Sequence, residues 1–215
     1  MIEAESYKLA SVADQLVLFG LTQEVFDAVA LAYFMAGLEC TENDPLTHAG
    51  FHRWARANRV FRDFVIPMGW CKFDFKNIPL TVHPSGKFAV VAINGDSRTG
   101  IISSVPCTKT PKGLCTAMIV GNNAQLQIDM FKGATVNNSA GFEWQTWVLL
   151  IYQSGSDIRM ELSLPLRIDS SGNIITWGTR IVLNPVEFGS MHAAMVATDF
   201  APDPDVPVTR RVQPE

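Results

Sequence analysis

The chain of 215 residues lacks the patterns that mark secreted, membrane and zinc-knuckle proteins. It has only four cysteines, and no two of them show the close C-x-x-C spacing of a zinc knuckle. Its longest apolar runs, such as 147–152, are far too short to span a bilayer. Residues 1–6 are acidic and lack the basic-then-apolar pattern of a signal peptide. These absences predict a cytoplasmic protein with reduced thiols and no membrane partner.

The common catalytic and nucleotide-binding signatures are absent as well. The sequence contains no G-x-x-x-x-G-K-[ST] phosphate loop, no G-x-G-x-x-G fingerprint and no G-x-S-x-G nucleophile elbow. His48 and His52 are spaced i,i+4, but no H-E-x-x-H glutamate accompanies them, and a third ligand would have to come from another His or a Cys. We therefore expect no metal and no cofactor. A Cys107–His83 nucleophile pair has support from composition alone.

The chain does contain enough apolar material for a sizeable core. Hydrophobic residues make up 47% of it, with five Trp and thirteen Phe, so the body of the chain should fold. A formal net charge of −4 argues against a polycation that binds nucleic acid all over its surface, but it allows a local basic patch. We expect one α+β domain over residues 1–198 and a flexible Pro-rich tail over 199–215.

The periodicity changes from helical to strand-like near residue 70. Thr22 is predicted to cap one helix, and a second helix over 47–65 has a core stripe of Trp54, Ala57, Phe61 and Phe64. Period-two patterns predict strands within 70–94 and 145–183, with a short helix over 116–131 between them. The strand over 158–164 should have a wet face of Arg159, Glu161 and Ser163. Helices followed by strands favour an α+β fold, in which N-terminal helices pack on a mostly antiparallel sheet.

An arginine-rich face is the clearest electrostatic feature of the second predicted helix. It consists of Arg53, Arg56, Arg59 and Arg62, and within the helix only Asp63 opposes it. Guanidinium groups bind phosphate or carboxylate bidentately, so this face is suited to nucleic acid, a nucleotide or an acidic partner. The alternative is an ordinary solvated helix face paired with acids elsewhere in the fold.

Polar side chains are dense in residues 95–113, directly after an apolar strand-like run. Its candidate ligand contacts are Asp96, Arg98, Thr108, Lys109, Thr110 and Lys112. Glycines permit turns that point backbone N–H groups inward, and Lys and Thr supply further donors. This 95–113 loop is therefore suited to a phosphate-bearing ligand, although ordinary turn residues of a long connection give the same composition. A metal-dependent nuclease site of Asp96, Glu143, Glu161 and Lys109 is a further alternative, but their order matches no nuclease signature.

Several of these residues occur in an order that resembles a group of bacterial proteins. The shared positions are Thr41-Glu-Asn-Asp-Pro45, Gly50, Trp54, Arg59, Arg62, Gly69-Trp70, Gly95-Asp96, Thr99-Gly100, Thr108-Lys109, Pro111-Lys112-Gly113 and Glu161-Leu-Ser-Leu-Pro165. Over residues 40–183 the chain resembles an uncharacterised group of accessory proteins encoded by phages, plasmids and genomic islands. The resemblance implies a role in defence, counter-defence or DNA maintenance, and it carries no catalytic residue over.

The sequence thus predicts a binding protein for nucleic acid or a phosphate-bearing ligand. The predicted contacts are the arginine-rich face and the 95–113 loop. Two alternatives stay open, namely an inhibitor or adaptor of a bacterial or phage protein complex, and a nuclease or nucleotide-processing enzyme. A homo-oligomer is compatible with each of them.

Overall fold

The computed structural model describes residues 11–132 and 141–189. Its helices and strands follow the apolar periodicity of the sequence. The elements, in chain order, are α1 (Val12–Val17), α2 (Gln23–Leu38), α3 (His48–Val65), a short 3₁₀ helix (Ile66–Met68), β1 (Cys71–Phe75), β2 (Ile78–Val82), β3 (Phe88–Asn94), α4 (Leu114–Lys132), β4 (Gln145–Ser154), β5 (Asp157–Ile168), β6 (Ile174–Val182) and β7 (Val186–Glu187). The predicted tail over 199–215 lies outside the described residues. No helix in the described ranges has the length and apolarity needed to cross a bilayer.

The strands form one mostly antiparallel sheet, which confirms the predicted α+β class. The strand order is β1-β2-β3-β4-β5-β6, and β7 pairs with β5. Only the β3–β4 pair is parallel among these strands, with Phe88 beside Gln145 and Asn94 beside Ile151. A parallel pair needs a crossover connection, and α4 lies in that connection. The sequence predicted the helix within 116–131 but not the parallel pair that depends on it.

Helices cover both faces of the sheet. On one face, α1, α2 and α3 bury large side chains such as Phe26, Phe34 and Phe61 against the sheet residues Leu149 and Met160. On the other face, a second cluster joins Ile119 of α4 to the strand residues Leu80, Val91, Val148 and Leu150. The sheet therefore has two apolar layers, and burying them is the main favourable term in folding.

Two buried asparagines attach helices to these layers. The side chain of Asn58 in α3 donates to the Ala92 carbonyl at 3.1 Å and accepts from the Ala92 N–H at 3.0 Å. Asn123 in α4 likewise accepts from the Thr146 N–H at 2.7 Å and donates to the Thr146 carbonyl at 2.8 Å. Each amide thus pairs backbone groups that would otherwise be buried without a partner.

Three local predictions differ in detail from the structure. Thr22 does occupy the position before α2, but its side chain makes no capping hydrogen bond. The core stripe of α3 is narrower than predicted, because Ala57 and Phe61 are buried while Phe64 is 45% exposed. The main packing partners of α3 are α2 and β3, and the Phe64 side chain is not covered by them as fully as Ala57 and Phe61 are. The predicted wet face of β5 is wrong at Glu161 and at Ser163, which are both fully buried, and Ser163 Oγ donates to the Glu161 carboxylate.

Candidate functional site

The four arginines of α3 do not form one exposed surface, because they differ in their partners and in their exposure. Arg62 forms an ion pair with Asp74 of β1 at 2.6 Å and donates to the Leu80 carbonyl at 3.0 Å and to Thr81 Oγ1 at 3.3 Å. Its side chain is only 16% exposed. Arg62 therefore fastens α3 to the β1–β2 hairpin, as the alternative of internal pairing predicted for this face.

The other three arginines differ in exposure. Arg53 is half-buried, with its guanidinium over the Tyr33 ring, 5.8 Å from the ring centroid. Arg56 is half-buried as well, and its Nε makes no hydrogen bond within the described residues. Arg59 is 68% exposed and forms a loose ion pair with Asp63 at 3.6 Å. Arg59 is thus the member of this face most available to a ligand.

The 95–113 loop begins where β3 ends and folds back onto its own start. The N–H of Asp96 donates to the Cys107 carbonyl at 3.0 Å, and the N–H of Lys109 donates to the Asn94 carbonyl at 3.0 Å. Gly95 lies at the neck of the loop, where an added Cβ would collide with the Thr99 hydroxyl. Only glycine fits at this position. The packing against Thr99 therefore explains Gly95 without any ligand, although the glycines of this loop were one reason for predicting a binding site.

A buried ion pair lies beneath the loop. Glu161 of β5 is fully buried and accepts from Arg180 of β6 through both carboxylate oxygens, at 2.6 Å and 3.0 Å. Its oxygens also accept from the Gly100 N–H at 3.0 Å and from Ser163 Oγ at 2.7 Å. A buried carboxylate is tolerated when a cation and further donors surround it. The loop supplies one of those donors, which is why β5 has no wet face at this point.

Side chains of β5 and β6 hold the loop backbone from below. Arg180 donates to the carbonyls of Ser104 at 2.6 Å and Ile101 at 3.2 Å. Arg159 donates to the Ser97 carbonyl at 2.8 Å, and the Trp177 indole donates to the Pro106 carbonyl at 2.9 Å. The loop is therefore a fixed layer on the sheet along most of its length.

The outer side of the loop carries most of its cationic side chains. Arg98 is 54% exposed and contacts Asp96 at 2.7 Å, and Lys109 and Thr110 are exposed. Lys112 is half-buried, and its Nζ donates to Thr110 Oγ1 at 3.1 Å. Burial lowers the pKa of Lys112 to about 8, although the neighbouring Cys107 opposes that shift.

Thr108 lies inside the loop rather than on its outer side. It is buried, as is Thr99, and neither hydroxyl makes a hydrogen bond within the described residues. Among the predicted loop contacts, Asp96, Arg98, Lys109, Thr110 and Lys112 are therefore the ones accessible from solvent to some degree. Thr108, at 3% exposed, is not accessible to a ligand in this structure.

The acids of the nuclease alternative are not brought together. Glu161 is enclosed by its own donors, and Asp96 is paired with Arg98. Glu143 precedes β4, whereas Asp96 follows β3. Because β3 and β4 are parallel, these two acids lie beyond opposite ends of the pair, whose paired segment alone spans about 20 Å at ~3.3 Å per strand residue.

Cys107 and His83 are separated in the same way. His83 stacks on Phe88 at the start of β3, with ring centroids 4.4 Å apart, and burial lowers its pKa. Cys107 pairs through its carbonyl with Asp96, beyond the end of β3. The thiol and the imidazole therefore lie at opposite ends of one strand, and the arrangement offers no nucleophile–base pair.

One group of potential metal ligands does converge within the described residues. Ligand atoms of Cys40, Asp44 and His48 lie within 4.8 Å of one another. The i,i+4 spacing of His48 and His52 was noted in the sequence without predicting a metal, and in the structure His52 Nε2 lies 2.6 Å from Glu39 Oε2. The hydrogen bond with His52 lowers the pKa of Glu39. The regular spacing 40, 44, 48 was the signal that would have revealed this group.

Comparison with protein-family models, curated proteins and solved structures found no match to this chain.

Proposed function

We propose that this protein binds nucleic acid or another phosphate-bearing ligand through the outer side of the 95–113 loop. The observation that carries the proposal is a group of three cations, the exposed Arg98 and Lys109 and the half-buried Lys112, on an ordered loop. The loop backbone is held where Lys109 N–H donates to the Asn94 carbonyl at 3.0 Å and Lys112 N–H donates to the Gly172 carbonyl at 2.7 Å. Binding to a loop that is already ordered avoids most of the entropy cost of ordering it. Cations on such a loop suit the repeated charges of a phosphate backbone.

The position of the loop in the fold supports the same function. The loop leaves the carboxyl end of β3, one strand of the parallel pair, and leads into the first turn of α4. In open sheets with parallel strands, ligands bind outside the carboxyl ends of the strands. Lys112 lies two residues before the first residue of α4, near the helix N-terminus, where the helix dipole adds positive potential.

The test is fluorescence anisotropy with labelled single-stranded DNA, double-stranded DNA and RNA at low salt. We expect the double variant Arg98→Ala/Lys109→Ala to weaken binding at least tenfold. It should also reduce the slope of log K against log salt by about 2, roughly one for each lost phosphate contact. Lys72→Ala and Lys87→Ala are the matched controls, since both lysines are exposed and lie outside the loop.

Two results of these binding experiments would contradict the proposal. Absence of binding to all three oligonucleotides, together with no thermal stabilisation by a nucleoside triphosphate or inorganic phosphate, contradicts it. So does binding that the control variants weaken as much as the loop variant does. Stabilisation by the triphosphate alone keeps the site and narrows the ligand to a small molecule.

A second candidate function, that of a protein inhibitor or adaptor, is favoured by the sheet edge at β1. In the described ranges β1 pairs only with β2, and Phe73 on this strand is 39% exposed. An exposed edge strand with an apolar side chain can accept a strand from a partner protein. Under this proposal, Phe73→Glu removes a stoichiometric protein partner from the purified complex while leaving oligonucleotide anisotropy unchanged.

A further inference from the structure

The turn between α2 and α3 brings together three different metal-ligating side chains. Cys40 is the second residue after α2, Asp44 lies in the turn, and His48 is the first residue of α3. The turn is held by the Asp44 N–H donating to the Thr41 carbonyl at 3.1 Å. These contacts are local, so the spacing of four residues between successive ligands directly produces the cluster.

The geometry points to a zinc site formed by Cys40, Asp44 and His48. Their ligand atoms lie within 4.8 Å of one another. In a tetrahedral zinc site with bonds of about 2.0–2.3 Å, the ligand atoms are about 3.3–3.8 Å apart, so side-chain adjustments of about 1 Å complete the geometry. Three protein ligands leave the fourth position to a water molecule.

The chemistry of the ligands selects the class of metal. Thiolate sulfur and imidazole nitrogen favour zinc and similar transition metals, whereas magnesium and calcium take oxygen ligands. On binding, the Cys40 thiol gives its proton to solvent, and the resulting thiolate forms the bond to the metal. In the metal-free protein, that S–H group donates to the Ala36 carbonyl at 3.2 Å.

Neighbouring groups orient the ligands of the cluster, as outer-shell groups do in known metal sites. The Thr41 N–H donates to Asp44 Oδ2 at 2.7 Å, which orients the carboxylate. The His48 ring stacks on the His52 ring with centroids 5.3 Å apart, and His52 is in turn held by Glu39. Cys40 is buried while Asp44 and His48 are half-buried, so two of the three ligands are in contact with solvent.

The experiment is titration of the reduced, chelator-treated full chain with Zn²⁺ by calorimetry, and with Co²⁺ by absorption spectroscopy. We expect one equivalent per chain and a thiolate-to-cobalt charge-transfer band. Asp44→Asn and His48→Gln should each weaken Zn²⁺ binding more than about tenfold. Cys40→Ser should abolish the charge-transfer band. Cys71→Ser and His83→Gln should change neither, because both residues lie outside the cluster.

The variants at Asp44 and His48 keep the test decisive even if Cys40→Ser fails to fold. Both residues are only half-buried, so circular dichroism should show native structure for these variants. The proposal is overturned if the wild-type chain binds no Zn²⁺ in calorimetry. It is also overturned if Asp44→Asn and His48→Gln bind as the wild type does, or if Cys71→Ser removes the cobalt band.

Discussion

Replacing Arg180 by alanine should strongly destabilise the protein. The substitution leaves Glu161 fully buried and without its cation. Removing one partner of a buried ion pair costs about 3–5 kcal/mol. The Arg180 side chain is 17% exposed, so water can replace part of the lost interaction, and we expect a loss near 3 kcal/mol. That is a large share of the 5–15 kcal/mol by which domains are typically stable.

The assay is urea unfolding at pH 7, followed by circular dichroism and by hydrogen exchange. The free energy of unfolding should fall by about 3 kcal/mol. The Gly100 N–H should exchange faster, because its acceptor Glu161 loses the cation that holds it in place. Arg167→Ala is the matched control, since Arg167 is an exposed arginine of β5, and it should change stability by less than about 0.5 kcal/mol.

A double variant separates the charge from the packing. Glu161→Leu/Arg180→Leu removes both charges, so no uncompensated carboxylate remains in the core, and this variant should be more stable than Arg180→Ala. A loss below about 1 kcal/mol in Arg180→Ala would refute the reasoning. A double variant less stable than the single one would refute it as well, by showing that the pair stabilises beyond its desolvation cost.

Three further predictions concern contacts described above. Asn58→Ala should cost about 2–3 kcal/mol in urea unfolding, because both backbone groups of Ala92 lose their partner, and a loss below 1 kcal/mol would contradict this. Gly172→Ala should cost about 1–3 kcal/mol, since Gly172 has φ +87° and its added Cβ would lie 2.7 Å from the Lys112 carbonyl oxygen. The Lys112 pKa of about 8 lies below its usual 10.5, so the folded chain binds fewer protons than the unfolded chain between these values. The free energy of unfolding should therefore rise from pH 8 to 10.5, and Lys112→Met should lack that rise.

The sequence predicted the parts of the fold that depend on local periodicity. The stripe of α3 and the alternation in β5 are local patterns. The helix predicted over 47–65 was found within one residue of its observed bounds, whereas the strand predicted over 158–164 continues to Ile168. The order of the sheet was less accessible, because the parallel pairing of β3 with β4 depends on how far α4 carries the chain. No local pattern encodes that distance.

The candidate site shows the same division between local and distant contacts. The burial of Glu161 was missed because Gly100, which covers it, is distant in the chain. Pairing of the arginines with acids elsewhere was an open alternative, but Asp74 could not be identified as the partner of Arg62, since that contact needs the β1–β2 hairpin folded against α3. The cluster at Cys40 is local, and its spacing was visible in the sequence. The loop cations were identified from composition, and their use stays a prediction.

The parallel pairing of β3 with β4 has a consequence for the order of folding events. Strands β1 to β3 form one antiparallel unit of neighbouring hairpins, and β4 to β6 form another. Each unit closes through short turns, whereas joining Phe88 to Gln145 closes a long loop at a higher entropy cost. The rate-limiting step of refolding should therefore be the docking of these two antiparallel units along the β3–β4 pair. Substitutions in β3 or β4 that weaken this pairing should slow refolding more than equally destabilising substitutions in the hairpins.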